Sequence, residues 1–268
     1  MSANTALAVL RQEQHISVSA ISTYLRCAAQ FEHRYILRTP PSHRAGVLAF
    51  GSAIHHALAR FYTELMNNQP EPGAEDLAAT FSDAWTRELA SPLPVLFDKD
   101  EAADTLRDKG VALVRLFHTE APRPHQVVGV EEPFSIEVCD PTTGEVFDER
   151  MVGAIDAITQ DEDDQPYILE HKTGAKKRSF EGDLQGAAYS YVAPRIGLGE
   201  SVSVTYQLLT KTKTPVLHIE TVSFTAADQR DLLRTVAGVL AAVRAGAFYP
   251  RRDWQCRSCP FAGPCLAG

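Results

Sequence analysis

The apolar pattern of this chain changes period at the stretch APRP, residues 121–124. Before it, apolar residues recur at helical spacing. After it come three runs with the patterning of strands. They are HQVVGVEEPFSIEVCD (125–140), ERMVGAIDAIT (149–159) and PYILEHKT (166–173), parted by the turn PTTGE and the acidic loop QDEDDQ. Helical and strand patterns in one chain of 268 residues predict an α/β domain with a full core.

The helical runs come first. SVSAISTYLRCAAQFEHRYIL (17–37) opens on serines, good N-caps, and sets Ile21, Tyr24, Leu25, Ala28, Phe31 and Tyr35 at helical spacing, which predicts one helix with Cys27 beside its apolar face. GSAIHHALARFYTELM (51–66) places Ile54, Leu58, Phe61 and Leu65 on one side, with His55 at the border and His56 pointing outward. Residues 74–90 and 100–120 read as two more helices, so a helical segment over about 66–124 is expected to be inserted before the sheet. Beyond the strands, residues 180–194 return to helix, VSVTYQLLTK and PVLHIETVSF form a hairpin, and 226–246 form a long helix. A short Cys-rich tail follows, over about 249–268.

Charge and hydropathy exclude several classes. The formal net charge is −8, so any contact with nucleic acid must come from local patches. Lys172, Lys176, Lys177 and Arg178 form one such patch and Lys211 with Lys213 another; runs of this kind are commonly just solvated surface. No apolar run is long enough for a membrane span, and MSANTALAVLRQEQ lacks the basic lead of a secretory signal, so a cytoplasmic protein is expected. Five cysteines, an odd number, argue against a secreted disulfide scaffold.

The chemistry-bearing residues lie where two strands meet. A hairpin centred near residue 163 sets Asp156 opposite Glu170, and side-chain alternation puts Lys172 on the face of Glu170. Two facing carboxylates among apolar neighbours repel, unless a divalent cation such as Mg²⁺ or Mn²⁺ turns the repulsion into coordination. The plainer reading is a surface strand end with a Glu–Lys pair. Cys256, Cys259 and Cys265 follow a C-x2-C-x5-C spacing, with Cys27 far upstream. Four thiolates suit either a zinc site or an iron–sulfur cluster, and spacing alone does not separate the two. Cys139 has no partner at useful spacing and reads as an ordinary buried residue at a strand end.

GAIDAI, followed by EHK with Glu170 14 residues after Asp156, resembles the PD-(D/E)XK nuclease pattern, and more narrowly its RecB-like branch. Four further stretches resemble that branch in order: the 17–37 helix (with Ala28 where the family usually has proline), the histidine motif GSAIHHAL, the glutamine–tyrosine motif LQGAAYSY, and the Cys-rich tail. The resemblance implies a restriction-endonuclease-like mixed central sheet flanked by helices, in one domain spanning 1–268. It implies His55, Asp156 and Glu170 as ligands to Mg²⁺ or Mn²⁺, joined by the backbone carbonyl of His171, whose side chain alternation turns away. Lys172 would serve the attacking water, and Gln185 and Tyr189, four apart on one helix, would hold Lys172 or the DNA. Relatives carry a Glu on the first strand; Glu131 and Glu132 both qualify here. The resemblance favours a [4Fe–4S] cluster on Cys27, Cys256, Cys259 and Cys265 that staples the chain ends together.

The implied activity is a metal-dependent deoxyribonuclease, an exonuclease on DNA ends or single strands in recombination, repair, phage replication or CRISPR adaptation. Lys176, Lys177 and Arg178 would contact phosphates, with Arg26, Arg34 and Arg38 as further contacts. No P-loop is present, so a helicase or other DNA-processing subunit would have to supply any motor. Two other readings use the same residues: a DNA-binding subunit whose catalysis is dispensable, and a zinc-stapled interaction domain whose acid pair is structural.

Overall fold

A computed structural model describes residues 3–99 and 101–267. It is a mixed α/β structure: a central mixed sheet flanked by helices, as in restriction-endonuclease-like folds. In chain order the elements begin with α1 (Ala3–Leu10), β1 (His15–Ile16), α2 (Val18–Arg26), α3 (Ala28–Phe31), β2 (Arg44–Ala45), α4 (Gly46–Met66), α5 (Ala74–Leu89), β3 (Val95–Leu96) and α6 (Ala103–Glu120). The strands β4 (Gln126–Ile136), β5 (Arg150–Gln160) and β6 (Pro166–Gly174) follow, then α7 (Leu184–Val192), β7 (Ser203–Thr210), β8 (Val216–Val222), α8 (Ala226–Arg244) and the short α9 (Ala262–Ala267). No helix of the described residues is long and apolar enough to cross a membrane.

The main sheet runs β1-β5-β6-β7-β8, with β4 also paired to β5. Each face buries its own core. Ile155, Ile168, Val204 and Tyr206 pack with α2, α7 and α8 on one side. Ala157, Leu169 and Leu209 pack with α4, α5 and α6 on the other, around Phe50, Phe61, Phe81, Trp85 and Phe117.

Three expectations are corrected here. The 17–37 helix is not continuous: Cys27 is extended (φ −162°), α2 ends before it, and residues 28–36 rewind as α3 and a π-helical turn. The sheet also does not wait for the helical segment, because β1 pairs in parallel with the start of β5. The expected inserted helices are present as α5 and α6, but α4, which they cover, starts five residues earlier than the GSAIHH motif.

A further correction concerns the β5–β6 hairpin. Ala157 pairs with Leu169, Ile158 with Ile168 and Thr159 with Tyr167, in the register read from the sequence. The ladder then stops one step short of Asp156 and Glu170. One edge of β5 pairs with β4 along nearly its whole length, whereas the other is shared by β1, at Arg150 and Met151, and β6, from Ala157 onward. Between them β5 and β6 fork, and Asp156 stands at the fork.

Candidate metal and hydrolysis site

An open strand edge leaves backbone groups that need partners, and at this fork side chains supply them. Asp156 Oδ2 accepts the backbone N–H of His171 at 2.8 Å, taking the place of a ladder bond. On the other flank, the Tyr189 hydroxyl meets the carbonyl of Ala154 at 3.1 Å.

Asp156 is therefore turned toward α4 rather than toward Glu170. Its Oδ1 lies 3.4 Å from His55 Nδ1, and its Oδ2 lies 3.3 Å from His171 Nδ1. This corrects the placement of the His171 side chain, which is not directed away from the acids. It is buried against Tyr62, Phe117 and His55, and reaches Asp156 through Nδ1. Burial pushes His171 down against the pull of Asp156, so the ring is neutral and Nδ1–H donates to the carboxylate. Its Nε2, beside Gln207, has no partner in hydrogen-bond geometry.

The choice between the two glutamates is resolved by the backbone. Glu131 has φ +50°, the left-handed region, in the middle of β4. Such a conformation in a non-glycine residue is held only where the surroundings impose it, and it is common at functional sites. Glu132 pairs with Ile155 and is exposed. Glu131, His55 and Asp156 each offer a ligand atom within 4.8 Å of the others. A nitrogen and two carboxylates so gathered suit Mg²⁺ or Mn²⁺. Glu170, expected in this set, is not among the three; both of its oxygens are engaged elsewhere.

Glu170 and Lys172 project toward α7, on the face away from the His171 ring, as alternation requires. Asp183 caps that helix, accepting from the backbone N–H groups of Gln185 and Gly186. Gly186 permits the close approach: a Cβ there would lie 2.2 Å from the Phe224 ring and the Tyr206 hydroxyl. The result is a closed ring of side chains. Lys172 Nζ donates to Glu170 Oε1 at 2.6 Å and to Gln185 Oε1 at 2.6 Å. Gln185 Nε2 donates to the Tyr189 hydroxyl at 2.7 Å, and that hydroxyl donates to Glu170 Oε2 at 2.7 Å. The structure thus brings Gln185 and Tyr189 onto Lys172 and Glu170.

The electrostatics follow from this arrangement. Burial and the neighbouring Asp156 push Glu170 up to about 7, against the pull of Lys172 and Tyr189. Burial and Asp156 also raise Glu131. Burial pushes Asp156 upward too, but His55 and the donors from His171 outweigh it and hold the carboxyl well below its usual range. Burial would lower His55, yet Asp156 reverses the sign and raises it to about 9. In the metal-free chain His55 is therefore protonated at pH 7. The stability gained from its raised value is fully present below about pH 6.5 and is lost as pH rises through about 9.

A cation ligated by His55 must displace that proton. Mn²⁺ affinity is accordingly expected to climb by up to about tenfold per unit between pH 7 and pH 9 and then level off. Calorimetric titration in buffers of different ionisation enthalpy will count the proton released. A flat affinity over that range would remove His55 from the ligand set.

Lys176, Lys177 and Arg178 lie exposed just past β6. Arg178 is partly committed, lying 4.3 Å over the Phe180 ring and 3.7 Å from Asp183. Phe180 in turn stacks on Tyr206, fixing this loop to β7.

The four expected cysteines meet at the other end of the chain. Cys27, Cys256, Cys259 and Cys265 line one small cavity of about 30 Å³ with His33 and Phe261. Burial, and the nearness of the other three, push the Cys259 thiol up. The extended backbone at Cys27 that interrupts the first helix places it here, where its sulfur accepts the Arg251 N–H. The tail is sewn to the N-terminal segment by Ala29 N–H to the Tyr249 carbonyl and by Ser42 N–H to the Pro260 carbonyl. Among the described residues no three of the four sulfurs come within 4.8 Å of one another. Cys139 stands apart, bridged to Val146 just past β4.

A model of the PD-(D/E)XK nuclease superfamily matches residues 15–266. No curated protein matches. Among solved structures, a Eubacterium rectale protein named "Putative exonuclease" superposes with a TM-score of 0.54 at 11% identity, over 96% of this chain and 89% of that one. A structure named SSO0001 covers 90% of this chain and 94% of its own, at 13% identity and a TM-score of 0.37.

Proposed function

Because this chain belongs to the PD-(D/E)XK nuclease superfamily, we propose that the groups at the β5–β6 fork hydrolyse phosphodiester bonds in DNA, at ends or in single strands. The observation that carries this reading is the side-by-side placement of two structures. One is the His55–Glu131–Asp156 trio, and the other is the ring that holds Lys172. When bound, a divalent cation would lower the pKa of water and clamp phosphate oxygens. His55, Glu131 and Asp156 hold it in this proposal, with Glu170 and the His171 carbonyl completing the set once substrate is present.

The protein's own part is positioning and charge. Lys172 keeps its ammonium where negative charge develops on the phosphoryl group, and two acceptors fix its direction before substrate arrives. Tyr189 and Gln185 act through Lys172 and Glu170, and are positioning residues. His171 orients Asp156 through its ring and its backbone N–H. Lys176 and Lys177 extend the cationic surface toward the strand. A role in recombination, repair, phage replication or CRISPR adaptation, alone or beside a helicase subunit, fits such an activity.

The cysteine pocket is read as the seat of a [4Fe–4S] cluster. The pairing of one early cysteine with a C-terminal C-x2-C-x5-C trio, which resembles the RecB-like branch, supports that cluster over zinc. The assay for the main proposal uses end-labelled single- and double-stranded DNA with Mn²⁺, Mg²⁺ or EDTA. Cleavage by the wild type with either cation, abolished by EDTA and by Asp156→Asn, is expected. Equal inertness of both proteins across metals and substrates would sink the enzyme reading.

A further inference from the structure

Beside the metal trio lies a second polar cleft that the hydrolysis scheme leaves unused. It has a volume of about 360 Å³ and opens between α4, α5 and β2. Arg44, Ser52, His56, Arg87, Glu88 and Ser91 line it. Glu88 is already committed: it pairs with Arg44 and accepts from the Ser52 hydroxyl at 2.8 Å. Arg87 has no carboxylate partner among the described residues, and its Nη2 lies 2.9 Å from His56 Nε2. A guanidinium only donates, so Nε2 accepts and the imidazole is neutral. The cleft thus holds two arginines against one acid, in a chain whose formal net charge is −8.

Its position gives that excess charge a meaning. His55 and His56 are adjacent on α4, and successive residues of a helix diverge by about 100°. One turn therefore presents His55 to Asp156 and His56 to the cleft. Arg87, 2.9 Å from His56, is thus tied to the residue next to His55, a placement suited to a phosphate neighbouring the scissile one.

Resting on the nuclease reading above, we propose that this cleft is an anion site for a strand phosphate next to the scissile one. Arg87 is its principal donor; Ser52 and His56 complete the wall, and Arg44 adds charge behind Glu88. The phosphate is either a terminal monoester or an internal diester, and the test separates the two.

The test measures binding without turnover, by anisotropy of labelled single-stranded oligonucleotides in EDTA, over a series of salt concentrations. Three versions are used: a 5′-phosphate, a 3′-phosphate, and hydroxyls at both ends. Arg87→Ala is expected to weaken binding about tenfold at low salt and to reduce the salt slope by about one phosphate contact. Arg107→Ala, on the exposed face of α6, removes the same charge elsewhere and should leave the slope unchanged. A loss confined to one phosphorylated version assigns the site to that terminal phosphate. An equal loss for all three assigns it to an internal diester. If Arg87→Ala binds every version as the wild type does while the wild type still cleaves DNA, the cleft proposal falls and the nuclease reading stands. If the wild type neither binds nor cleaves, both fall.

Discussion

Lys172→Ala will lower the rate of DNA cleavage by about 10²–10³-fold while leaving metal-free DNA binding within about threefold of wild type. The size follows from what the ring does. Lys172 Nζ is held by two acceptors at 2.6 Å, so its charge is in place before the reaction begins, which is where preorganised electrostatic stabilisation has its effect. Gln185→Ala and Tyr189→Phe remove groups that only position this charge, and each is expected to cost about tenfold. Their dependence on Lys172 is the decisive readout. In the Lys172→Ala background, Gln185→Ala should add almost nothing, because the group it positioned is gone. Single-turnover rates on end-labelled DNA, with thermal melting to confirm folding, measure all of these. Full additivity of Gln185→Ala and Lys172→Ala would show that Gln185 acts on the DNA instead.

The two halves of the ring were readable because each obeys a short-range rule, whereas their meeting was implied only by the family resemblance. Glu170 and Lys172 share a face by strand alternation, and Gln185 and Tyr189 share one by helical spacing. The β5–β6 register was readable for the same reason, the loop centre fixing which residues pair. What the sequence hid depends on where regular structure stops. Alternation holds only while the strands stay paired, and at the fork Asp156 takes the His171 N–H with its side chain and turns toward α4. Glu131 was indistinguishable from Glu132 because its selection rests on a left-handed backbone that no residue-type pattern signals. The two-residue β1 is too short to leave a period, yet it occupies the edge of β5 that makes the fork. At Cys27, helical spacing continued straight through a residue that the folded chain holds extended.

That interruption bears on the second large expected effect, on stability. On the proposed iron–sulfur reading, Cys27→Ser and Cys259→Ser will each abolish the brown colour and iron content of anaerobically purified protein, whereas Cys139→Ser, away from the pocket, will retain both. Loss of a structural metal centre belongs to the class of single substitutions that cost more than about 4 kcal/mol. At about 2–4 °C per kcal/mol for a chain of this size, the melting temperature should fall by more than about 8 °C. Collapse need not be complete, because Ala29, Ser42 and Tyr24 still bond to the segment 247–260. The damage should therefore begin in the tail. Arg251, Arg252 and Arg257 flank the C-terminal cysteines, so limited trypsin digestion should cut there first in the serine variants and not in the wild type. Colourless wild-type protein carrying one zinc per chain would replace the iron–sulfur assignment but keep the tail-first loss, since either centre joins Cys27 to the C-terminal trio. Wild-type protein with neither metal, and variants that melt with it, would leave the chain ends held by hydrogen bonds and packing alone, and Cys27 would then need another reason to break its helix.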